Sequence, residues 1–428
     1  MATSKLFSAK GNFFMRLNTI KSALFIISLV FVFLGTSDIF SLSGVFLLLA
    51  SACLLGFSMI SGNIRLDLYL ILVVIFSVVY SIIVFAWQGF SVNIISNFII
   101  SPISFYLFSQ SNGNNKKNIC AFLLCFVLGY LLRAFILLFT TIINQGYHFV
   151  NFLTGIDWYS GNTVYISRNG LSLFFVPFFV ISLPFIFEKN NFKKWWIVLF
   201  AVVVDLIAII SSIIVGNRAL IVCIFIWFIA QFLITFAKIQ NKKIFYSLFI
   251  SLFVLVIVFF LIFIGVIPLP NSLLNIYGIR RLIEGGSNSE RMSFYVYFVQ
   301  NFWRYPFGGM YNNLGRYLHN FYLDIYNFGG LIPFLLFSFF LVVFVLDSKH
   351  VLNKKYYFKE SETTRYVLWM FVGLFTLGMI EPIFQTDNII CSIIFFCFGY
   401  MRGLSSKKLF AKNTNQFIIK GTFTEINI

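Results

Sequence analysis

The stretch from Ser287 to Leu331, SNSERMSFYVYFVQNFWRYPFGGMYNNLGRYLHNFYLDIYNFGGL, gathers residue types that the rest of an apolar chain mostly lacks. It holds three arginines (Arg291, Arg304, Arg316), one of the chain's three histidines (His319) and two acids, Glu290 and Asp324. A guanidinium stays charged at any working pH and grips phosphate or carboxylate through two parallel hydrogen bonds. An imidazole titrates near neutral pH, so it can take a proton in one step and return it in the next. Arg291 beside Glu290, and His319 beside Asn320 with Asp324 further along, are therefore candidates for an anion clamp and a proton acceptor. Each also has a bland alternative: an arginine that only pairs with an acid, or a histidine that only completes a turn.

Two more arginines open apolar runs. Arg168-Asn169 precede one, and Gly216-Asn217-Arg218 form a tight turn between two others. Arg168 also suits an interfacial anchor whose charge snorkels away from its helix end. Arg218 fits that explanation less well, because the turn leaves almost no loop and the positive end of a helix dipole lies beside it.

Composition sets the elements that must position these residues. The 428 residues are 60% hydrophobic, 20% aromatic and 11% charged. Mean hydropathy is +0.93. No soluble chain hides that much apolar surface, so an all-α polytopic membrane protein is expected. Twelve apolar runs are long enough for transmembrane helices: about 19–36, 39–60, 67–87, 92–109, 118–143, 169–187, 195–215, 218–237, 244–266, 321–346, 366–382 and 385–402. They form a single transmembrane domain over 1–402, followed by a polar tail over 403–428. The first run follows Lys5, Lys10, Arg16 and Lys21 and lacks a small-residue cleavage site, so it reads as an uncleaved span.

Charge orients the bundle. Every lysine falls in the N-terminal segment, the even-numbered turns or the tail. The excess of lysine and arginine on the inner side therefore predicts that both termini are cytoplasmic. The outer side carries only arginine: Arg168, Arg218, Arg280, Arg281, Arg291, Arg304 and Arg316. Seven arginines and no lysine, from a chain richer in lysine, point to a use for the guanidinium fork. Arg133 lies inside the fifth run, roughly 22 Å from its cytoplasmic start at 1.5 Å per residue. Asp205, in the middle of the seventh run, should face the bundle, where it either pairs with Arg133 or is neutral and only hydrogen-bonded.

The same bias accounts for most of the net charge of +17, so nucleic acid is not implied as a partner. The six cysteines lie in or beside apolar runs, and none forms a C-x-x-C pair. No motif for a metal, nucleotide or other cofactor is present. Two outer loops are long, about 144–168 and 267–320, the second lying between spans 9 and 10. Within it, Ser289 is a plausible N-cap, and Met292, Tyr295, Val296, Val299, Phe302 and Trp303 recur at helical spacing before Pro306 and Gly308-Gly309. That pattern predicts an amphipathic helix lying along the membrane interface.

A set of short motifs resembles the O-antigen polymerase and ligase superfamily (Wzy and WaaL). They are GNRAL at 216–220, Ser-Glu-Arg at 289–291, Trp303, Pro-Phe-Gly-Gly at 306–309 and HNFYLDIYNFGG at 319–330. Together they cover about 120 residues, and the remainder is similar in hydropathy alone. Arg280-Arg281 and Arg304 have no counterpart in the family pattern.

The resemblance implies a metal-independent glycosyl transfer, without cofactor, at the periplasmic face of a bacterial inner membrane. Its donor and acceptor are oligosaccharides on undecaprenyl diphosphate, in contact with membrane lipid and with a possible chain-length-regulating membrane protein as partner. By the same resemblance, His319, Arg291 and Arg218 are catalytic. Arg168, Arg218, Arg291 and, more weakly, Arg133 hold the diphosphate, and Glu290, Asn320 and Asp324 support them. The expected activity is O-antigen polymerisation in lipopolysaccharide biosynthesis. The alternatives are ligation of the glycan to lipid A-core and, from another class, a polysaccharide flippase or transporter.

Overall fold

The computed structural model describes residues 2–62, 64–89, 91–113, 115–145, 152–156, 163–167, 170–186, 195–215, 217–236, 290–352, 362–383, 387 and 389–421. Helices dominate. The first half runs α1 (Ala2–Ser37), α2 (Ser43–Ser61), α3 (Leu68–Gln88), α4 (Val92–Ile95), a π bulge at Ser96–Ile100, α5 (Ser101–Asn112) and α6 (Lys116–Gln145). A hairpin of β1 (Phe152–Ile156) and β2 (Thr163–Ser167) follows, then α7 (Gly170–Ile186), α8 (Trp195–Val215) and α9 (Arg218–Phe236). After 290 come α10 (Glu290–Asn301), a 3-10 turn (Phe302–Arg304), α11 (Met310–Leu314), α12 (Phe321–Gly329), α13 (Leu331–Leu352), α14 (Glu362–Gly378) and α15 (Ile390–Gly421).

Six of the described helices are long and apolar enough to cross a bilayer, and α7 and α15 hold shorter apolar stretches. Their outward faces are unlike those of a soluble protein. On α13, Ile332, Leu335, Phe339, Val342 and Val345 are all exposed and fall on one stripe at spacings of three and four. On α8, Leu199, Phe200, Val203, Leu206 and Ile210 do the same. Stripes of this kind are stable only where the solvent is itself apolar, so the chain is a multi-pass membrane protein.

The interior is filled by phenylalanine. Phe122 stacks on Phe396 with centroids 4.6 Å apart, and Phe76 meets Phe395 at 5.4 Å. Polar side chains mark helix starts: the Asp67 carboxylate accepts from the Leu70 N–H at 2.9 Å and caps α3. Asp67 also lies 3.4 Å from Arg402, whose guanidinium reaches Asp347 at 3.5 Å and covers the Tyr69 ring at 3.9 Å. This cluster ties α3, α13 and α15 together at one end of the bundle. At the other end of α3, the Trp87 indole N–H donates to the Phe307 carbonyl at 3.0 Å, which anchors the 302–320 segment.

Several expectations change. The tenth run, 321–346, is two helices and not one: Gly330, at φ 74°, breaks it between α12 and α13. The break lets the Pro306–Gly309 turn lie against it, with the Leu331 N–H donating to Pro306 O at 2.8 Å and Gly309 N–H to Phe328 O at 3.4 Å. A Cβ on Gly330 would run into the Gly308 nitrogen, so this approach needs glycine. The all-α expectation is also incomplete, because the 144–168 loop contains the β1–β2 hairpin, paired antiparallel with Phe152 opposite Ser167.

The helix expected before Pro306 forms, but its apolar residues divide between two faces. Phe298 and Phe302 pack on Tyr326 of α12, at 5.3 and 4.4 Å, while Met292, Val296, Val299 and Trp303 are exposed. The ninth run, 244–266, lies outside the described residues.

Candidate functional site

His319 sits in the short link between α11 and α12, and two neighbours fix it there. The Asn320 side chain caps α12, accepting from the N–H groups of Tyr322 and Leu323 at 3.1 and 3.2 Å. Asp324, one turn into α12, accepts from the Leu318 N–H at 2.8 Å and from the Asn327 amide at 3.2 Å. The backbone is thus stapled on both sides of His319, whose φ is +56°. That left-handed geometry is uncommon outside glycine, although histidine adopts it more readily than most residues, and here the bonds on both sides hold it.

The acid that faces the imidazole is Glu381. Its Oε2 lies 3.6 Å from His319 Nδ1, and the carboxylate is buried while the imidazole is 31% exposed. Nδ1 itself is buried and has no hydrogen-bond partner. The exposed part of the ring therefore lies away from the acid, leaving the imidazole open on its far side. Asp324, five residues after His319, is fully buried and is spent on the loop. Burial pushes its carboxyl up to about 6, against the opposing pull of the Leu318 N–H.

Arg218 begins α9. Asn217 is its cap, accepting from the Leu220 N–H at 3.1 Å. Helix α9 packs antiparallel to α14: Trp227 meets Trp369 at 3.9 Å, and Cys223 lines an apolar cleft with Val372, Gly373 and Thr376. Moving back along α9 moves forward along α14, so the start of α9 lies at the end of the bundle that holds Glu381. Glu290 and Arg291 form the first turn of α10, three residues before Phe294, whose ring is covered by the Arg316 guanidinium at 5.7 Å. Arg316 lies in the loop leading to His319. Arg168 lies outside the described residues, as do Ser289, Arg280 and Arg281. Arg304 donates to Asn301 at 3.0 Å across its own turn.

Arg133 does not pair with Asp205. Asp205 accepts from the Ser182 hydroxyl at 2.9 and 2.7 Å, between α8 and α7. Arg133 instead lies 2.8 Å from Asp38, 4.0 Å from Asp387 and over the Phe174 ring at 4.6 Å. Tyr130 donates its hydroxyl to Asp387 at 2.6 Å. Asp38 and His319 are two of only three non-glycine residues with positive φ among the described residues. Burial raises the Asp38 carboxyl above its ordinary value, although Arg133 pulls the other way.

The geometry thus joins His319 to Glu381 and places the backbone of Arg218 at the same end of the bundle, with Arg133 in a cluster of its own. Glu381 and Asp387 stand out in the sequence only as acids near the last turn, and Asp38 not at all, because long-range pairing leaves no local signature. No family model, curated protein or solved structure matches the chain.

Proposed function

We propose that the chain is a glycosyltransferase of the polymerase type, acting on glycans carried by a polyprenyl diphosphate at the outer face of a bacterial inner membrane. The observation that carries this reading is His319, held left-handed with a buried carboxylate behind Nδ1 and its side chain partly exposed. A hydroxyl of the acceptor sugar attacks the anomeric carbon of the donor. The bond from that carbon to the phosphate oxygen breaks, and the lipid diphosphate leaves with the electron pair. The open imidazole nitrogen takes the hydroxyl proton, and Glu381 stabilises the imidazolium that forms. Charge grows on the diphosphate as it leaves, so arginines fixed nearby stabilise the transition state more than the ground state. Arg218, Arg291 and Arg168 are assigned that role, with the lysine-rich end of the bundle in the cytoplasm.

A transporter is the second reading, favoured by the helix break at Gly330 and the buried Asp205. A deletion strain separates the possibilities. Loss of a polymerase leaves single repeat units on lipopolysaccharide. Loss of a ligase leaves none and lets lipid-linked polymer accumulate outside, whereas loss of a transporter leaves lipid-linked repeat units on the cytoplasmic side.

A further inference from the structure

Between α1, α2, α6 and the turn before α15 lies a cavity of about 70 Å³, lined by Gly35, Ser43, Leu47, Tyr130, Arg133, Asp387 and Ile389. A water needs about 10–15 Å³ of such space, so the cavity takes several waters or the hydroxyl edge of a sugar ring. The polar groups around it are fixed by one another. Asp38 accepts from the Ser43 N–H at 3.1 Å and holds Arg133 at 2.8 Å, while Asp387 accepts from Tyr130 at 2.6 Å and from the Ile389 N–H at 3.0 Å. A network in which every member is already oriented presents donors and acceptors to a ligand at little reorganisation cost.

Charge says which ligand. One guanidinium faces two carboxylates, Asp38 and Asp387, so the cluster is net negative and repels phosphate. A neutral polyol suits it, because each hydroxyl can donate to a carboxylate and accept from the guanidinium. One wall of the cavity is linked to Glu381 through the backbone. The Asp387 N–H donates to Ile383 O at 3.3 Å and the Ile383 N–H to Glu381 O at 2.9 Å, so backbone hydrogen bonds through Ile383 connect Asp387 to Glu381.

We infer that this cavity binds a neutral, hydroxyl-rich ligand, the sugar that accepts the transferred glycan, through Arg133, Asp387 and Tyr130. The word acceptor rests on the transferase reading, and the binding of a sugar does not. It moves Arg133 from the diphosphate to the sugar.

Ser43 lines the cavity and offers a direct probe. The full-length Ser43→Cys protein, in detergent, would be labelled with a small methanethiosulfonate reagent, with the unaltered protein as the blank for its six free cysteines. Labelling would be repeated with a panel of methyl hexosides and methyl N-acetylhexosaminides, and separately with inorganic pyrophosphate. At least one glycoside should slow the reaction of the introduced thiol saturably, about threefold at twice its Kd, while pyrophosphate leaves the rate unchanged. Asp387→Asn added to Ser43→Cys should abolish the protection while the thermal unfolding transition remains. Absence of protection by any glycoside, protection by pyrophosphate, or protection that survives Asp387→Asn would each overturn the inference. If protection fails while His319→Ala still abolishes transfer, only this inference falls. If a deletion strain keeps a normal glycan ladder, the transferase reading falls and the sugar site stands.

Discussion

His319 Nδ1 and Glu381 Oε2 stand 3.6 Å apart, brought together from the link before α12 and the turn after α14. On the proposed transferase reading, a bound substrate would draw the two to hydrogen-bonding distance. The same reading makes Glu381 a positioning residue. Glu381→Gln should lower kcat at least about tenfold with the donor KM unchanged, and Glu381→Asp should restore part of the loss. Equal kinetics for Glu381→Gln and the unaltered protein would make the pair structural.

Arg218 and Arg291 each open a helix, and the proposed role uses the fork of the guanidinium. Lysine keeps the charge and loses the second hydrogen bond, so Arg218→Lys and Arg291→Lys should each cost about tenfold or more in transfer, roughly 1.4 kcal/mol. Full activity in a reconstituted assay would mean that a point charge suffices.

Gly330 is held at φ 74°, with the Gly308 nitrogen and the Pro306 oxygen standing where a Cβ would need room. Gly330→Ala should therefore destabilise the protein by about 2–4 kcal/mol. Gly315, at φ 67° with open space around it, isolates the backbone contribution: Gly315→Ala should cost about 1 kcal/mol. Thermal unfolding in detergent measures the difference, and equal effects would show that the 306–309 turn does not press on the helix break.

Asp324 gives a pH dependence of defined sign. Burial raises its folded value to about 6 from an ordinary 3.8. The folded state thus holds the proton more tightly than the unfolded state between those values, and stability falls as pH rises through that window, by at most about 3 kcal/mol. Asp324→Asn retains an acceptor for the Leu318 N–H and cannot ionise. Its unfolding temperature should fall less than that of the unaltered protein between pH 4 and about 7. Parallel curves would place the ionisation elsewhere.

Much of the helical frame was legible in the sequence because hydropathy alone demands it. The run at 67–87 is α3, 195–215 is α8, and 218–237 begins at the Arg218 turn as expected. The break at Gly330 was not legible, because the apolar run continues through it and its cause is the distant 306–309 turn. His319 and Asn320 were singled out by type, but the left-handed backbone of His319 follows from bonds made by Leu318 and Asp324. Asp324 is close to His319 in sequence and bonds the loop, while Glu381 is far in sequence and faces the imidazole. Asp38 and Asp387 escaped notice as a pair because only packing brings α1 to the turn before α15.

The most direct test of the central claim is the glycan ladder made by a deletion strain carrying His319→Ala, with protein in the membrane confirmed by immunoblot. The transferase account predicts single repeat units only, at unaltered protein levels. A normal ladder of long chains from that variant would contradict it.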